Sequence, residues 1–503
     1  MRILAWVSLA VLIGSYICIP VGDPDLWWHI VVGRWILAHR EVPRVDYWNL
    51  FAAGNPWNAY SWSNEVVYAW VDRLAGGKGL AVLQLLLAIV LAGAFQFLLG
   101  RCARNYFVGA LLGAYTAVAC FAHFSLRPQT FVWILFLGAI TVADSIARHG
   151  LTTGRAITLL LLGMLWANTH LTSIFGLVAV LLWVLEVEDS KPMWRRAIVA
   201  ALCFVCGTML TPYCGGEWMT LLQKSGHTVR FGSIDEFKPA HILQFSTVFM
   251  LLQLVLLVVI GFQERRVPAW SRCALAGGMI LAGLTAVKFL PFASIALSAL
   301  LAERWRSGRE LETQWGNITG GLRELQASFY RLGAQTVGAL AFFLGCLAFV
   351  NISRVVSEPL DRRLVPKAAV DFIEAKGLSH PVLNEFGSGG YLLYRYSKPD
   401  GEPRFKVPID GRTNVNDPRI WKLYDAAFFG RENWNDYVVA VKPETIMWSQ
   451  ESPLVSILLA SESWCRVFTS GSATHEYSLF ISREEFDRRP GEFVSSDCAV
   501  NSR

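Results

Sequence analysis

Asp23, Asp25 and His29 stand beside the paired tryptophans Trp27 and Trp28 in the stretch Gly22-Asp23-Pro24-Asp25-Leu26-Trp27-Trp28-His29. Carboxylates and imidazoles are the groups that most often carry protons in catalysis. His29 lies four residues beyond Asp25, so a helix through this stretch puts both on one face. Moving an activated group onto a hydroxyl needs a base within hydrogen-bond reach of the acceptor proton, and a carboxylate next to apolar surroundings is pushed towards that role by desolvation. Asp25 is therefore a candidate general base. As the N-cap of the following helix it would accept backbone N–H groups instead, and the two roles can coexist. Asp23 precedes Pro24 and reads as loop solvation or support. His29 is open between a partner of Asp25 and an interfacial histidine.

Other polar residues interrupt apolar stretches. Arg127 precedes Pro128 and Lys288 precedes Phe289 at the ends of such runs. Each either snorkels to the surface or neutralises an anionic group such as a phosphate. Asn168 and His170 close another apolar run and could bind hydroxyls or phosphate, or satisfy each other. Asp235 and Glu236 lie in a longer polar connection, where solvation competes with a secondary site role. Asp410-Gly411-Arg412 reads as a turn with an ion pair, with a recognition surface as the alternative. Cys203-x-x-Cys206 has no second pair at metal-ligand spacing, which leaves packing as the better reading, and no metal site is expected from it. Cys465 and Cys498 could form a disulfide if their segment is outside the cytosol. No Walker loop, dinucleotide fingerprint or internal repeat is present.

The elements that must position these residues are mostly membrane helices. Of the 503 residues 54% are hydrophobic and 17% charged, the balance of a membrane protein. The net charge of +6 comes from Lys and Arg collected between apolar runs, so it speaks for topology and not for nucleic acid. Roughly eleven spans are expected, at 3–20, 80–99, 106–121, 130–146, 156–168, 174–185, 198–210, 245–262, 274–287, 289–301 and 337–350. The first has no small-x-small cleavage site before Gly22 and reads as a retained helix. Arg101 and Arg104, Arg148 and Arg155, Lys191, Arg195 and Arg196, Arg265 and Arg266, and Arg304, Arg306 and Arg309 all fall on one side, the cytoplasmic one by the positive-inside rule. The first loop, 21–64, and everything after the last span are then outside. Positions Ile30, Val31, Trp35, Ile36 and Leu37 fit one face of a helix lying on the membrane, with Asp25 as its N-cap and Trp27 and Trp28 in the headgroup layer. Two domains follow: a membrane body over 1–352 and a soluble, extracytoplasmic α/β domain over 353–503. In the latter, 368–375 reads as a helix, 382–383 as a strand, Gly387 to Gly390 as a turn, and 391–394 and 405–409 as strands.

Asp25-x-x-x-His29-x-x-x-Gly33-x-x-Ile36, followed by Pro43, Asp46, Gly54, Pro56-Trp57 and Glu65, resembles the opening motif of the GT-C integral-membrane glycosyltransferases, in particular their bacterial mannosyltransferase-like and aminoarabinose-transferase-like members. Further echoes are Arg127-Pro128-Gln129, Trp166-x-Asn168-x-His170, Asp235-Glu236-Phe237-x-Pro239, Lys288-x-x-Pro291, Gly389-Gly390-Tyr391-Leu392 and Ile409-Asp410-Gly411-Arg412, so the likeness spans nearly the whole chain. The resemblance implies an α-helical polytopic membrane protein with a C-terminal α/β domain, and an inverting transferase using a polyprenyl-phosphate-linked sugar. The acceptor would be a glycan, lipid or protein of the cell envelope, at the outer face of a bacterial cytoplasmic membrane. It implies that Asp25 is the catalytic acidic residue, with Asp23 and His29 beside it. Arg127, Lys288, Asn168, His170, Glu65 and Glu236 would then meet the substrates. The chain departs from the family pattern at Tyr60-Ser61-Trp62, where many members place an acidic residue before the tryptophan. A second carboxylate, and with it a divalent cation, is left open. A transporter or flippase of lipid-linked sugars, or a non-catalytic subunit of a polysaccharide assembly, is the alternative; transporters usually carry repeats and broken helices at the midplane.

Overall fold

The computed structural model describes residues 2–186, 193–226, 234–264, 268–310, 316–361, 364–470 and 476–493. In chain order the helices are α1 (Arg2–Ile17), α2 (Pro24–His39), α3 (Trp62–Ala103), α4 (Tyr106–Cys120), α5 (Pro128–His149), α6 (Thr153–Ala167), α7 (Ser173–Leu185), α8 (Trp194–Thr208), α9 (Gly216–Gly226), α10 (Phe245–Glu264), α11 (Trp270–Thr285), α12 (Leu290–Glu310), α13 (Gly316–Arg331) and α14 (Ala334–Ser357). They continue with α15 (Lys367–Lys376), α16 (Phe386–Tyr396), α17 (Pro418–Phe428), α18 (Asn435–Val441), α19 (Pro453–Leu459) and α20 (Arg483–Arg488). Two compact units form: unit 1 from Met1–Ile19, Ala81–Glu217 and Ile234–Glu358, and unit 2 from Pro20–Leu80, Trp218–Ser233 and Pro359–Arg503. The first outer loop thus falls in the same unit as the C-terminal residues.

Unit 1 is helical, and each of the eleven expected spans coincides with a helix. Among the described residues five helices are long and apolar enough to cross a membrane: Trp62–Ala103, Tyr106–His123, Pro128–His149, Phe245–Gln263 and Ala334–Ser357. Ile3–Ile17, Thr153–Ala167 and Ser173–Leu185 are apolar but shorter. The central helix is α12, whose residues from Leu290 to Arg306 are all buried. Hydroxyls and an amide tie it to its neighbours: Thr116 to Ser298 at 2.7 Å, and Gln253 to Ser298 at 2.6 Å and to Ser294 at 2.7 Å. Away from water such polar pairs hold helices together where apolar burial alone gives no preference for helix over lipid. At the other end of α12 the charged residues are also buried. Asp144 binds Arg306 and Arg148, and Arg272 pairs with Glu303. Arg148, Arg304 and Arg306 were expected as loop charges. Arg304 and Arg306 are instead only 2% and 3% exposed, because an arginine deep in a bundle is retained when carboxylates compensate it. Lys191, Arg265 and Arg266 lie outside the described residues.

Unit 2 is built around α2. The expected helix forms, but its apolar positions do not lie on a surface: Leu26 to Gly33, with Trp35 and Ile36, are buried, and only its last turn, from Leu37, is exposed. Their apolar surface is covered by protein and not by headgroups. Trp27 lies against Tyr391 and Tyr394, ring centroids 5.1 and 5.0 Å apart. The helix also starts earlier than expected. Asp23 is the N-cap, its carboxylate accepting the Asp25 N–H at 2.9 Å, with Pro24 at the first helical position and Asp25 in the first turn.

The residues expected as a Gly-rich turn and a strand, Gly387 to Tyr394, belong to α16, and 405–409 is not a strand. A Cβ on Gly390 would come within 2.6 Å of the Pro24 carbonyl oxygen of α2, and one on Gly389 within 2.0 Å of the Ile409 carbonyl. These glycines serve close helix packing and not chain reversal. The expected helix and first strand are present as α15 and β1 (Val382–Asn384). With β2 (Thr445–Ser449), β3 (Trp464–Thr469) and β4 (Tyr477–Ser482) a four-stranded sheet forms in the order β1-β2-β4-β3, parallel only between β1 and β2. Cys465 on β3 is disulfide-bonded; Cys498 lies outside the described residues.

Candidate functional site

In unit 2 the residues of the opening motif meet. Asp25 is half-buried, and its Oδ1 accepts the Trp28 Nε1–H at 3.4 Å. Gly411 lies against the same oxygen, so closely that a Cβ there would stand 1.8 Å from Asp25 Oδ1 and 2.7 Å from Trp28 Nε1. One turn on, His29 is buried, its ring tilted against Trp28 with centroids 3.5 Å apart, and its Nδ1 lies within hydrogen-bond distance of Glu65 Oε1 at 3.1 Å. Glu65 has no exposed surface. Gly33 lets α2 approach α3 there: a Cβ would come within 1.9 Å of the Glu65 carbonyl oxygen. Asp25 thus presents a carboxylate at the end of a buried column that runs through Trp28 and His29 to Glu65.

Beneath Gly411 lies a buried triad. Arg412 binds both oxygens of Asp410 at 2.7 Å and pairs with Asp46, and all three are 1% exposed. Its guanidinium also lies over Trp57 at 5.0 Å and Trp48 at 5.3 Å. The two carboxylates hold the Arg412 guanidinium charged against the pull of burial, which favours the neutral form. The triad fixes the turn that carries Gly411.

In unit 1 four other candidates gather. Arg127, the N-cap of α5, pairs with Glu236. Burial would push the Glu236 carboxyl up, but Arg127, then Lys288 and His170, hold it below the usual carboxylate range. The Lys288 ammonium lies over the Phe237 ring at 3.3 Å, and its carbonyl accepts the Gln129 side-chain N–H at 2.7 Å. His170 bonds Thr172 at 3.0 Å. The Asn168 amide donates to the carbonyls of Met164 and Leu210, at 2.7 and 2.9 Å, at the C-terminus of α6. Asp235 is exposed and pairs with Lys238 at 2.5 Å. Among the described residues no three His, Cys, Asp or Glu side chains stand close enough to hold a metal ion.

Gly411 and the Asp46–Arg412 pair were missed as parts of the first cluster. Asp46 and Arg412 are 366 residues apart, a separation at which periodicity carries no signal; the motif residue Asp46 and the turn Asp410-Gly411-Arg412 were each read from the sequence, but not their meeting.

No family model matches the chain, and no curated protein matches it in sequence. Among solved structures, archaeal oligosaccharyltransferase AglB from Archaeoglobus fulgidus, in complex with an inhibitory peptide and a dolichol-phosphate, is similar with a TM-score of 0.53 and 11% identity, over 98% of this chain and 75% of that one. Two further Archaeoglobus fulgidus oligosaccharyltransferase structures, one tethered to an acceptor peptide with an NVT sequon and one with Zn and sulfate, give TM-scores of 0.49 and 0.48 at 11% and 10% identity. They cover 94% of this chain and 73% and 72% of their own. With its apolar helices and small C-terminal sheet, the chain shares the fold of the membrane oligosaccharyltransferase AglB over 98% of its own length.

Proposed function

We propose that the protein is an inverting glycosyltransferase that moves a sugar from a polyprenyl-phosphate donor to a hydroxyl or amide acceptor of the cell envelope, at the outer face of the membrane. Asp25 takes the acceptor proton as the acceptor attacks C1 of the sugar. The bond from C1 to the phosphate oxygen breaks, and polyprenyl phosphate leaves with the electron pair. The observation that carries this reading is the division of labour between the two carboxylates. Asp23 is the N-cap, which leaves Asp25 half-buried in the first turn of α2, at the positive end of the helix, where an ionised carboxylate is favoured. The Glu65–His29 pair holds the imidazole and Trp28 in fixed positions behind it. Arg127 and Lys288, in unit 1, supply cations for the phosphate of a lipid donor. The dolichol-phosphate bound by AglB supports a lipid-phosphate donor.

The test is transfer from radiolabelled polyprenyl-phosphate sugar by purified protein. Asp25→Asn should abolish transfer while the protein inserts and folds, and Asp23→Asn should retain it, because asparagine caps as well as aspartate. Undiminished transfer by Asp25→Asn ends the proposal. Translocation of the labelled lipid in liposomes without product would replace it with a flippase.

A further inference from the structure

The carboxylate of Glu236 sits among the cations to which the preceding section assigns the donor phosphate. Arg127 pairs with it directly, and Lys288 and His170 act on it through their charges. His123 also faces Glu236 and Arg127 electrostatically, and Asp235 and Lys238 on the same segment neutralise each other. The segment is fixed where it stands. Val287 N–H donates to the Lys238 carbonyl at 3.1 Å, Ala240 N–H to the Leu284 carbonyl at 2.9 Å, and the Lys288 ammonium lies over Phe237. Glu236 is therefore a built part of the cation cluster and not a passing loop charge. Among the described residues, Glu236 thus offsets part of the positive charge that Arg127 and Lys288 bring to the cluster.

That offset has a chemical counterpart. A sugar on a polyprenyl phosphate is a phosphodiester with one negative charge. Once the sugar has left, the same lipid is a phosphomonoester whose second ionisation, near pH 6, adds most of a second charge at neutral pH. Two cations without a carboxylate would hold this product more tightly than the donor, and the product would then block the site. Opposite unit charges a few ångströms apart near a protein surface interact strongly enough to change affinity by a factor of ten or more, less what salt screens.

We propose that Glu236 is the residue that makes the Arg127–Lys288 cluster select a singly charged lipid phosphodiester over the doubly charged phosphomonoester it becomes, so that the spent lipid is released. This rests on the assignment of the donor phosphate to Arg127 and Lys288. Glu236 acts on the phosphate's charge and takes no proton from the acceptor. It does its work in the ionised form, the form its cationic neighbours favour.

The experiment is equilibrium binding of two probes, farnesyl phosphate and farnesyl methyl phosphate, to the full chain in nanodiscs at pH 8 and low salt. The ratio of their dissociation constants is the readout. Glu236→Gln, which can still accept a hydrogen bond from Arg127, should shift that ratio by about tenfold in favour of the monoester. Glu236→Asp, which keeps the charge, should leave the ratio within about twofold of the parent and guards against a folding artefact. Arg127→Gln should weaken both probes. If Arg127→Gln weakens both while Glu236→Gln leaves the ratio unchanged, the selectivity proposal is overturned and the phosphate site stands. If Arg127→Gln changes neither, the phosphate site itself is wrong and the selectivity proposal falls with it.

Discussion

Gly411 has no side chain, and that is what lets Asp25 hold its position. With the Cβ position of residue 411 at 1.8 Å from Asp25 Oδ1 and 2.7 Å from Trp28 Nε1, Gly411→Ala must move the carboxylate, the indole or the Asp410–Arg412 turn. The turn is the least able to yield. Its arginine is bound by two carboxylates, and a buried charge separated from its partners costs about 3–5 kcal/mol. The carboxylate should therefore move, and a displacement of an ångström in a reacting group costs on the order of 100-fold in rate. Gly411→Ala is expected to lose transfer to about that extent and to lower the melting temperature. In an Asp25→Ala background most of that thermal loss should disappear, because the oxygen that the new methyl strikes is gone. A melting-temperature penalty of equal size in both backgrounds would show that Gly411 does not pack on Asp25. At this scale the sequence was informative about residue type and poor about assignment. Two aspartates two residues apart both fit a cap, and only the start of the helix at Pro24 gives that role to Asp23.

At the scale of elements, α16 and the strand before it show why the sequence was legible in part. The apolar stretch at Val382 and the periodicity of 367–376 are local signals, and both elements formed. Gly387-Ser388-Gly389-Gly390 carries the local signal of a turn, yet the stretch is helical because its glycines meet the Pro24 and Ile409 carbonyls; contacts that distant in sequence leave no local trace. The same lack of trace hid the burial of α2, since a helix covered on all sides and one lying in lipid both need apolar residues. Glu385, just before α16, tests how the unit tolerates charge. Burial pushes its carboxyl from 4.5 up to about 7, only partly opposed by the Ser449 N–H that Oε1 accepts at 2.9 Å. A carboxyl with a raised folded pKa binds its proton more tightly in the native state. Its stabilising effect is complete below about pH 4.5 and is lost as pH rises through about 7. Glu385→Gln keeps an acceptor for Ser449 without the charge. It is expected to raise stability at pH 8 by about 1–2 kcal/mol and to flatten the dependence between pH 4.5 and 7. Melting temperatures across that range check it, and an unchanged slope would place the titration elsewhere.

For the whole molecule, the charges between the apolar helices decide which side of the membrane each face of the fold meets. Two of the arginines that set the expected orientation, Arg148 and Arg306, end in ion pairs with Asp144. The positive-inside rule acts while the chain inserts, before those helices meet, so burial in the final fold does not cancel the contribution of Arg148 or Arg306. Arg101, Arg104 and Arg195, which the expected topology places on one side, are exposed in the folded protein. With the amino terminus inside and the expected eleven crossings, the sheet and its helices would lie outside, where a disulfide at Cys465 is stable. Two exposed positions test this. Val439, 60% exposed on α18, belongs to the expected outer side, and Thr153, at the start of α6, to the cytoplasmic side. With labelling compared against the parent protein, Val439→Cys should react with a membrane-impermeant maleimide in intact cells whose outer membrane has been opened. Thr153→Cys should react only after the inner membrane is permeabilised. Asp25, on the loop between the first two expected spans, would then share its side with the sheet, as transfer at the outer face requires. The opposite labelling pattern would turn Asp25 towards the cytoplasm and remove the lipid-linked donor's advantage, because nucleotide sugars are available there.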